Sequence, residues 1–258
     1  MQPPEPVNLE AERSVASIIA QALDLYQGYP LLFLTLASAV IVPYELAVLA
    51  VTGSGSLASH PHESAGATVL LFLLDFALVG PLVSALHVHA VVVIGGGDRP
   101  RLSEVARRGL RVLPVVAASV IVAGLGIGLG FIALIVPGVL LALRWSVVAQ
   151  VAAVDQEGWL PSLRRSGELA AGHYRHIFGL LFVVGLLTAG VATGARGIPV
   201  GSGSGPPSVL LGIAVHTLTA SFSALVAAIL YFDLRARSAG TRETPAPEGQ
   251  TPPDPAGT

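Results

Sequence analysis

The chain has 258 residues, of which 53% are apolar and only 12% charged, with a formal charge of -2 and a mean hydropathy of +0.73. A water-soluble domain carries about 25% charged residues because its surface must be wetted. Half that charge excludes a soluble globular enzyme, and the apolar content excludes a disordered chain. With no cysteine there is no disulfide scaffold, and the absence of a basic balance argues against nucleic acid as a partner.

Residues 1–29 hold Glu5, Glu10, Glu12 and Asp24 against Arg13 and lack the basic start and short apolar core of a cleaved secretory signal. Asn8 is positioned to cap a helix whose first turn carries Glu10 and Glu12. Val15, Ile18, Ile19, Ala22, Leu23 and Tyr26 then recur at helical spacing, which predicts an amphipathic helix at the membrane surface. Crossing a hydrocarbon layer of ~30 Å takes about 20 apolar residues as helix. Six stretches meet that need: Pro30 to Val51, Ala67 to Ile94, Leu113 to Leu134, Pro137 to Val154, Ile177 to Ala195 and Ser208 to Phe232. The first is interrupted at Pro43, Tyr44 and Glu45, and the second is long enough to tilt, protrude or kink at Pro81. Pro137-Gly138 marks a turn between the third and fourth.

Lysine is absent, so arginine alone reports topology. Arg99, Arg101, Arg107, Arg108 and Arg111 lie between spans two and three, and Arg164, Arg165 and Arg175 between spans four and five. Arg235, Arg237 and Arg242 follow the sixth span and Arg13 precedes the first, whereas the opposite side receives only Arg196. Cytoplasmic loops collect positive charge, so both termini are expected in the cytoplasm. Ser103 is positioned to cap one cytoplasmic amphipathic helix, and Pro161 suits the first turn of another. The pattern of amphipathic helix followed by membrane hairpin thus occurs three times, with little residue-level similarity. The external segments 52–66 and 196–207 are Gly/Ser/Pro connectors, and the Pro-rich tail is expected to be disordered. The division is an N-terminal cytoplasmic helix over 1–29, a six-span membrane domain over 30–237 and a disordered tail over 238–258. The fold class is all-α, a polytopic transmembrane helical bundle.

Two stretches carry a family resemblance. One combines Pro137-Gly138, Arg144, Glu157-Gly158, Arg165-Ser166 and Gly172, and the other is Tyr231, Phe232, Asp233, Leu234 and Arg235. Together they resemble the YciC-like bacterial membrane proteins and the membrane domain attached to some glycerophosphodiester phosphodiesterases. The resemblance implies a bundle of about six spans and no established activity, and phosphodiesterase chemistry is not expected to carry over.

Ionisable groups at membrane depth cost about 2.5 kcal/mol or more each on insertion scales and are functional candidates for that reason. Glu45, Asp75 and Arg144 fall in a similar layer of the outer half. They form either a polar cluster lining a cavity or a structural ion pair between helices, with snorkelling of the charges to the interface as a third reading. His87 and His89, two apart on a helix, point away from each other and cannot share an ion. His60, His62 and Glu63 could meet one metal but are read as a solvated loop, and His173 and His176 as interfacial anchors. Gly124, Gly126, Gly128 and Gly130 have the spacing that lets helix backbones approach closely. Trp145 and Trp159 read as packing and interface residues, and Arg107, Arg108, Arg111, Arg164 and Arg165 as contacts for anionic lipid.

The expectation is an integral membrane protein, not an enzyme, that organises lipids or scaffolds a partner complex. A transporter or permease using Glu45, Asp75 and Arg144 is the alternative. Its partners are membrane lipids and other membrane proteins, and no cofactor or metal is called for. Arginine without lysine, with abundant Ala, Gly and Val, points to a GC-rich bacterium and hence to its inner membrane.

Overall fold

The computed structural model describes residue 9 and residues 11–53, 65–198 and 205–243. Ten α-helices follow one another among them. α1 (Val15–Gly28) is capped by Ser14, whose side chain accepts from the Ser17 N–H, and it buries Ile18, Ala22 and Leu25. Asn8 lies outside the described residues. The chain breaks at Tyr29, and Pro30 opens α2 (Pro30–Thr52), since proline suits a first turn where its missing N–H has no partner to lose. α2 runs through Pro43 without interruption and stops at Gly53, whose φ of 71 is a left-handed cap.

The second span joins α3 (Ala65–Leu74) to α4 (Gly80–Gly95) through a π-helical turn over Asp75–Val79. There the Gly80 N–H reaches the Asp75 carbonyl, five residues back. This turn immediately precedes Pro81, which cannot donate to the helix ladder, so the kink expected at the proline is realised as a π-bulge before it.

α5 (Leu102–Ala133) corrects the expected division. The amphipathic segment and the third span are one helix through Pro114, and it starts after Arg101 without a side-chain cap from Ser103. The turn into α6 (Ile135–Arg144) falls at Leu134, in extended conformation, and not at Pro137-Gly138. Pro137 sits in the first turn of α6, and Gly138 faces Gly130, where an added Cβ would lie 3.0 Å from the Gly138 Cα. The α5–α6 hairpin therefore closes backbone to backbone.

A break at 145–147 separates α6 from α7 (Val148–Asp155). Gln156 and Gly158, both at positive φ, turn the chain into α8 (Trp159–Ala170) with Pro161 in its first turn. Gly172 (φ 81) then leads into α9 (Tyr174–Arg196), and α10 (Pro206–Glu243) closes the fold. α10 passes both the expected end of the last span at Phe232 and the expected start of the tail at residue 238. Arg237 bonded to Asp233 and Ser238 bonded to the Arg235 carbonyl hold those last turns.

Among the described residues, six helical stretches are long and apolar enough to cross a membrane: Pro30–Thr52, Val69–Gly95, Leu102–Ala133, Ile135–Asp155, Tyr174–Arg196 and Pro206–Gly240. Exposed side chains such as Ile132 (83%), Leu186 (65%) and Phe182 (61%) form an apolar exterior that a soluble protein does not carry. The chain is a multi-pass membrane protein with an all-α helical bundle. α10 is its most buried span and packs against α2 and α4, while α9 is the least buried. The main core joins Ile18, Phe33, Leu36, Val88, Val91, Leu180, Leu225, Ile229 and Tyr231.

Candidate functional site

Two polar levels hang on α10, at His216 and at Asp233. They are 17 residues apart in the sequence, about 25 Å at 1.5 Å per residue and so close to the ~30 Å of a hydrocarbon layer.

At the first level, α2 brings Glu45 and the π-turn brings Asp75 to the same imidazole. His216 Nδ1 lies 2.7 Å from Glu45 Oε1, and its Nε2 lies 3.8 Å from Asp75 Oδ1. With Glu45 ionised, its carboxylate accepts only, and His216 Nδ1 is then the nitrogen that donates to it. The Tyr44 ring stands edge-on to His216, 5.8 Å between centroids. Glu45 is fully buried and its Oε2 has no hydrogen-bond partner among the described residues, whereas the Asp75 side chain is 42% exposed. The structure thus unites two of the three ionisable residues singled out in the sequence and adds a third, His216, that sequence reasoning missed. A lone histidine on a long apolar run was the available signal.

Arg144 does not join them. It is exposed at the end of α6 and lies over α8, where a Cβ on Gly167 would be 2.8 Å from Arg144 Nε. Its carbonyl accepts from the Ser166 hydroxyl at 3.1 Å, and no acidic side chain pairs with it among the described residues. At the last residue of α6, the guanidinium lies against Gly167 of α8.

Beside Asp75 a cleft of about 620 Å³ opens between α4, α5, the α6–α7 break, α9 and α10, and reaches Leu230. Its walls include Phe76, Ile127, Trp145, Leu181, Val184 and Ala227. Leu181 and Gly185 of α9 are exposed as well as lining it, so the cleft faces sideways, into lipid. Ser146 and Gln150, one helical turn apart, also line it. Gln150 is buried, and neither its Oε1 nor the Ser146 hydroxyl has a partner.

The second level is a clasp. Buried Asp233 accepts from the Arg13 backbone N–H, from Arg237 Nε at 2.9 Å and from His176 Nε2 at 3.1 Å. Arg237 also donates to the Arg13 carbonyl at 2.6 Å. Burial pulls the Arg13 guanidinium below its usual value, and the Asp233 charge opposes that shift. Tyr231 donates to Asp155 at 2.9 Å, and Arg235 bonds the same hydroxyl and stacks on the Tyr231 ring. His176 is therefore part of this clasp, not the interfacial anchor expected from sequence. α1, α7, α9 and α10 meet here.

Between the levels, His87 Nδ1 donates to the Val83 carbonyl and Nε2 accepts from Ser221, both at 2.8 Å and both side chains fully buried. His89 points elsewhere, as its spacing requires. His60, His62 and Glu63 lie outside the described residues. Of the four glycines over 124–130 of α5, Gly124 faces Phe76, Gly126 faces Trp145 and Gly130 faces Gly138, while Gly128 meets nothing within 4 Å. Close packing thus accounts for three of them and not for Gly128. Trp159 is half exposed.

Among the surface arginines, Arg108 pairs with Glu104 at 2.7 Å, and Arg164 and Arg165 share Glu168 at 3.2 and 3.4 Å. Arg107 and Arg111 are exposed without an acidic partner among the described residues. No family model matches the chain, and comparison with curated proteins and with solved structures returns no match either.

Proposed function

We propose that this protein is a non-enzymatic component of a bacterial inner membrane that holds a lipid between its helices, with both termini in the cytoplasm. The observation that carries the reading is the lateral cleft. Its ~620 Å³ falls within the roughly 300–1,000 Å³ of ligand sites, and its walls are largely apolar, with Asp75, Ser146 and Gln150 among the few polar residues. The Ser221–His87 pair is sealed inside the core and has no access to a substrate, which favours binding over catalysis. The exposed Arg107 and Arg111 supply a surface for anionic lipid or an acidic partner protein on the cytoplasmic face. Kinship with the YciC-like proteins belongs to this proposal. The residues that carry it (Gly138, Gly158, Ser166, Gly172 and Asp233) hold the turns, the hairpin and the clasp of the fold.

The test is mass spectrometry of lipids retained by the full chain after extraction into native nanodiscs and washing. Ala227→Phe, which fills the cleft from α10, should strip a tightly held lipid that the wild type keeps. Equal lipid content in both sinks the proposal. A transporter is the second reading, favoured by the Glu45–His216–Asp75 chain at the cleft's end. It requires Glu45→Gln to abolish a solute-dependent proton flux in reconstituted vesicles.

A further inference from the structure

We infer that the lipid held in the cleft bears a primary ammonium head group, with Asp75 as its counter-ion; the inference rests on the cleft reading above. Asp75 is the one charged residue among those lining the cleft. Its nearest ionic contact, His216 Nε2 at 3.8 Å, is beyond hydrogen-bond distance. With Glu45 ionised and His216 neutral, Nδ1 donates to Glu45 and the Nε2 lone pair is turned towards the Asp75 carboxylate, acceptor against acceptor. With ionised carboxylates the cluster carries two negative charges when His216 is neutral and one when it is protonated. No arginine pairs with Asp75 or Glu45 among the described residues, and Glu45 keeps a buried oxygen without a partner.

A cation is what this end of the cleft lacks. A phosphate without an amine would meet only the negative charge of Asp75 there. A primary ammonium brings three N–H donors to the Asp75 carboxylate. A trimethylammonium head brings the charge without the donors. The cleft runs from Asp75 towards Leu230.

Trp145 lines the cleft, so in a Trp159→Phe background it is the sole tryptophan and reports on the occupant. The full chain is placed in nanodiscs containing phosphatidylethanolamine, phosphatidylcholine or phosphatidylglycerol with brominated acyl chains, which quench tryptophan on contact. Half-quenching should need about fivefold less of the ethanolamine lipid than of the other two, the scale of one partly screened ion pair. Asp75→Asn should erase that preference, Asp75→Glu should keep it, and Ala227→Phe should reduce quenching by all three. Equal potency of the three lipids overturns the ammonium assignment and leaves the cleft standing. Quenching that Ala227→Phe does not alter overturns the cleft itself.

Discussion

Asp233→Ala attacks the clasp at its centre. The carboxylate is fully buried and accepts from the Arg13 N–H, Arg237 Nε and His176 Nε2, so its loss strands one backbone donor and two side-chain donors at once. Removing one partner of a buried ionic network costs about 3–5 kcal/mol. The side chains of Arg237 and His176 are 20% and 17% exposed and recover some hydration, which places the cost near the lower bound, about 3 kcal/mol. Asp233→Asn keeps an oxygen for the Arg13 N–H and gives up only the charge, a loss of about 1.5 kcal/mol. At roughly 2–4 °C per kcal/mol for a chain of this size, the alanine variant should melt about 6–12 °C lower and the asparagine variant about half as far. Thermal unfolding in mild detergent, followed by scanning fluorimetry, reads both shifts. Tryptic cleavage after Arg13 supplies a second readout, because the clasp ties that residue to α10. A melting point of Asp233→Ala within 2 °C of wild type, with Arg13 still protected, refutes the reasoning.

The glycines of α5 predict opposite signs within one helix. Gly130→Ala should destabilise by about 1–3 kcal/mol by forcing α5 off the α6 backbone. Gly128→Ala, with open space around it, should be neutral or gain up to about 1 kcal/mol of helix propensity. Denaturant titration of both in the same detergent checks this, and equal effects would contradict it. Ser221→Ala should cost about 1–3 kcal/mol by leaving His87 Nε2 buried without a donor, and the added cost should shrink in Ser221→Ala/His87→Leu. A double-mutant cycle measures that coupling, and simple additivity would deny it. Neutralising Arg107 and Arg111 should reduce retained phosphatidylglycerol in native mass spectrometry by roughly 1 kcal/mol per arginine. Neutralising Arg164 and Arg165, which already share Glu168, should reduce it less.

Six apolar runs, a charge content of 12% and arginines gathered between alternate spans were readable from composition and spacing alone. Such features report a local quantity: whether each stretch prefers hydrocarbon to water. Caps and breaks within a turn of their cause were partly readable too, such as Pro30 and Pro161 in first turns. The turn at Leu134 was not, because the Gly130–Gly138 contact that places it is a packing event between two helices. The same limit explains the site. Glu45 and Asp75 stood out in the sequence because each is costly in lipid by itself. Their meeting point could not be read there, since His216 joins them from 171 and 141 residues away. The misplacement of Arg144 has this origin as well: a depth estimate orders residues along the membrane normal and says nothing about which side of a helix faces which neighbour. Sequence therefore determined which segments prefer lipid to water. Only the packing of α2, the π-turn, α9 and α10 decided which charges share a site and where a cleft remains open, because those distances are set between helices and not along any one of them.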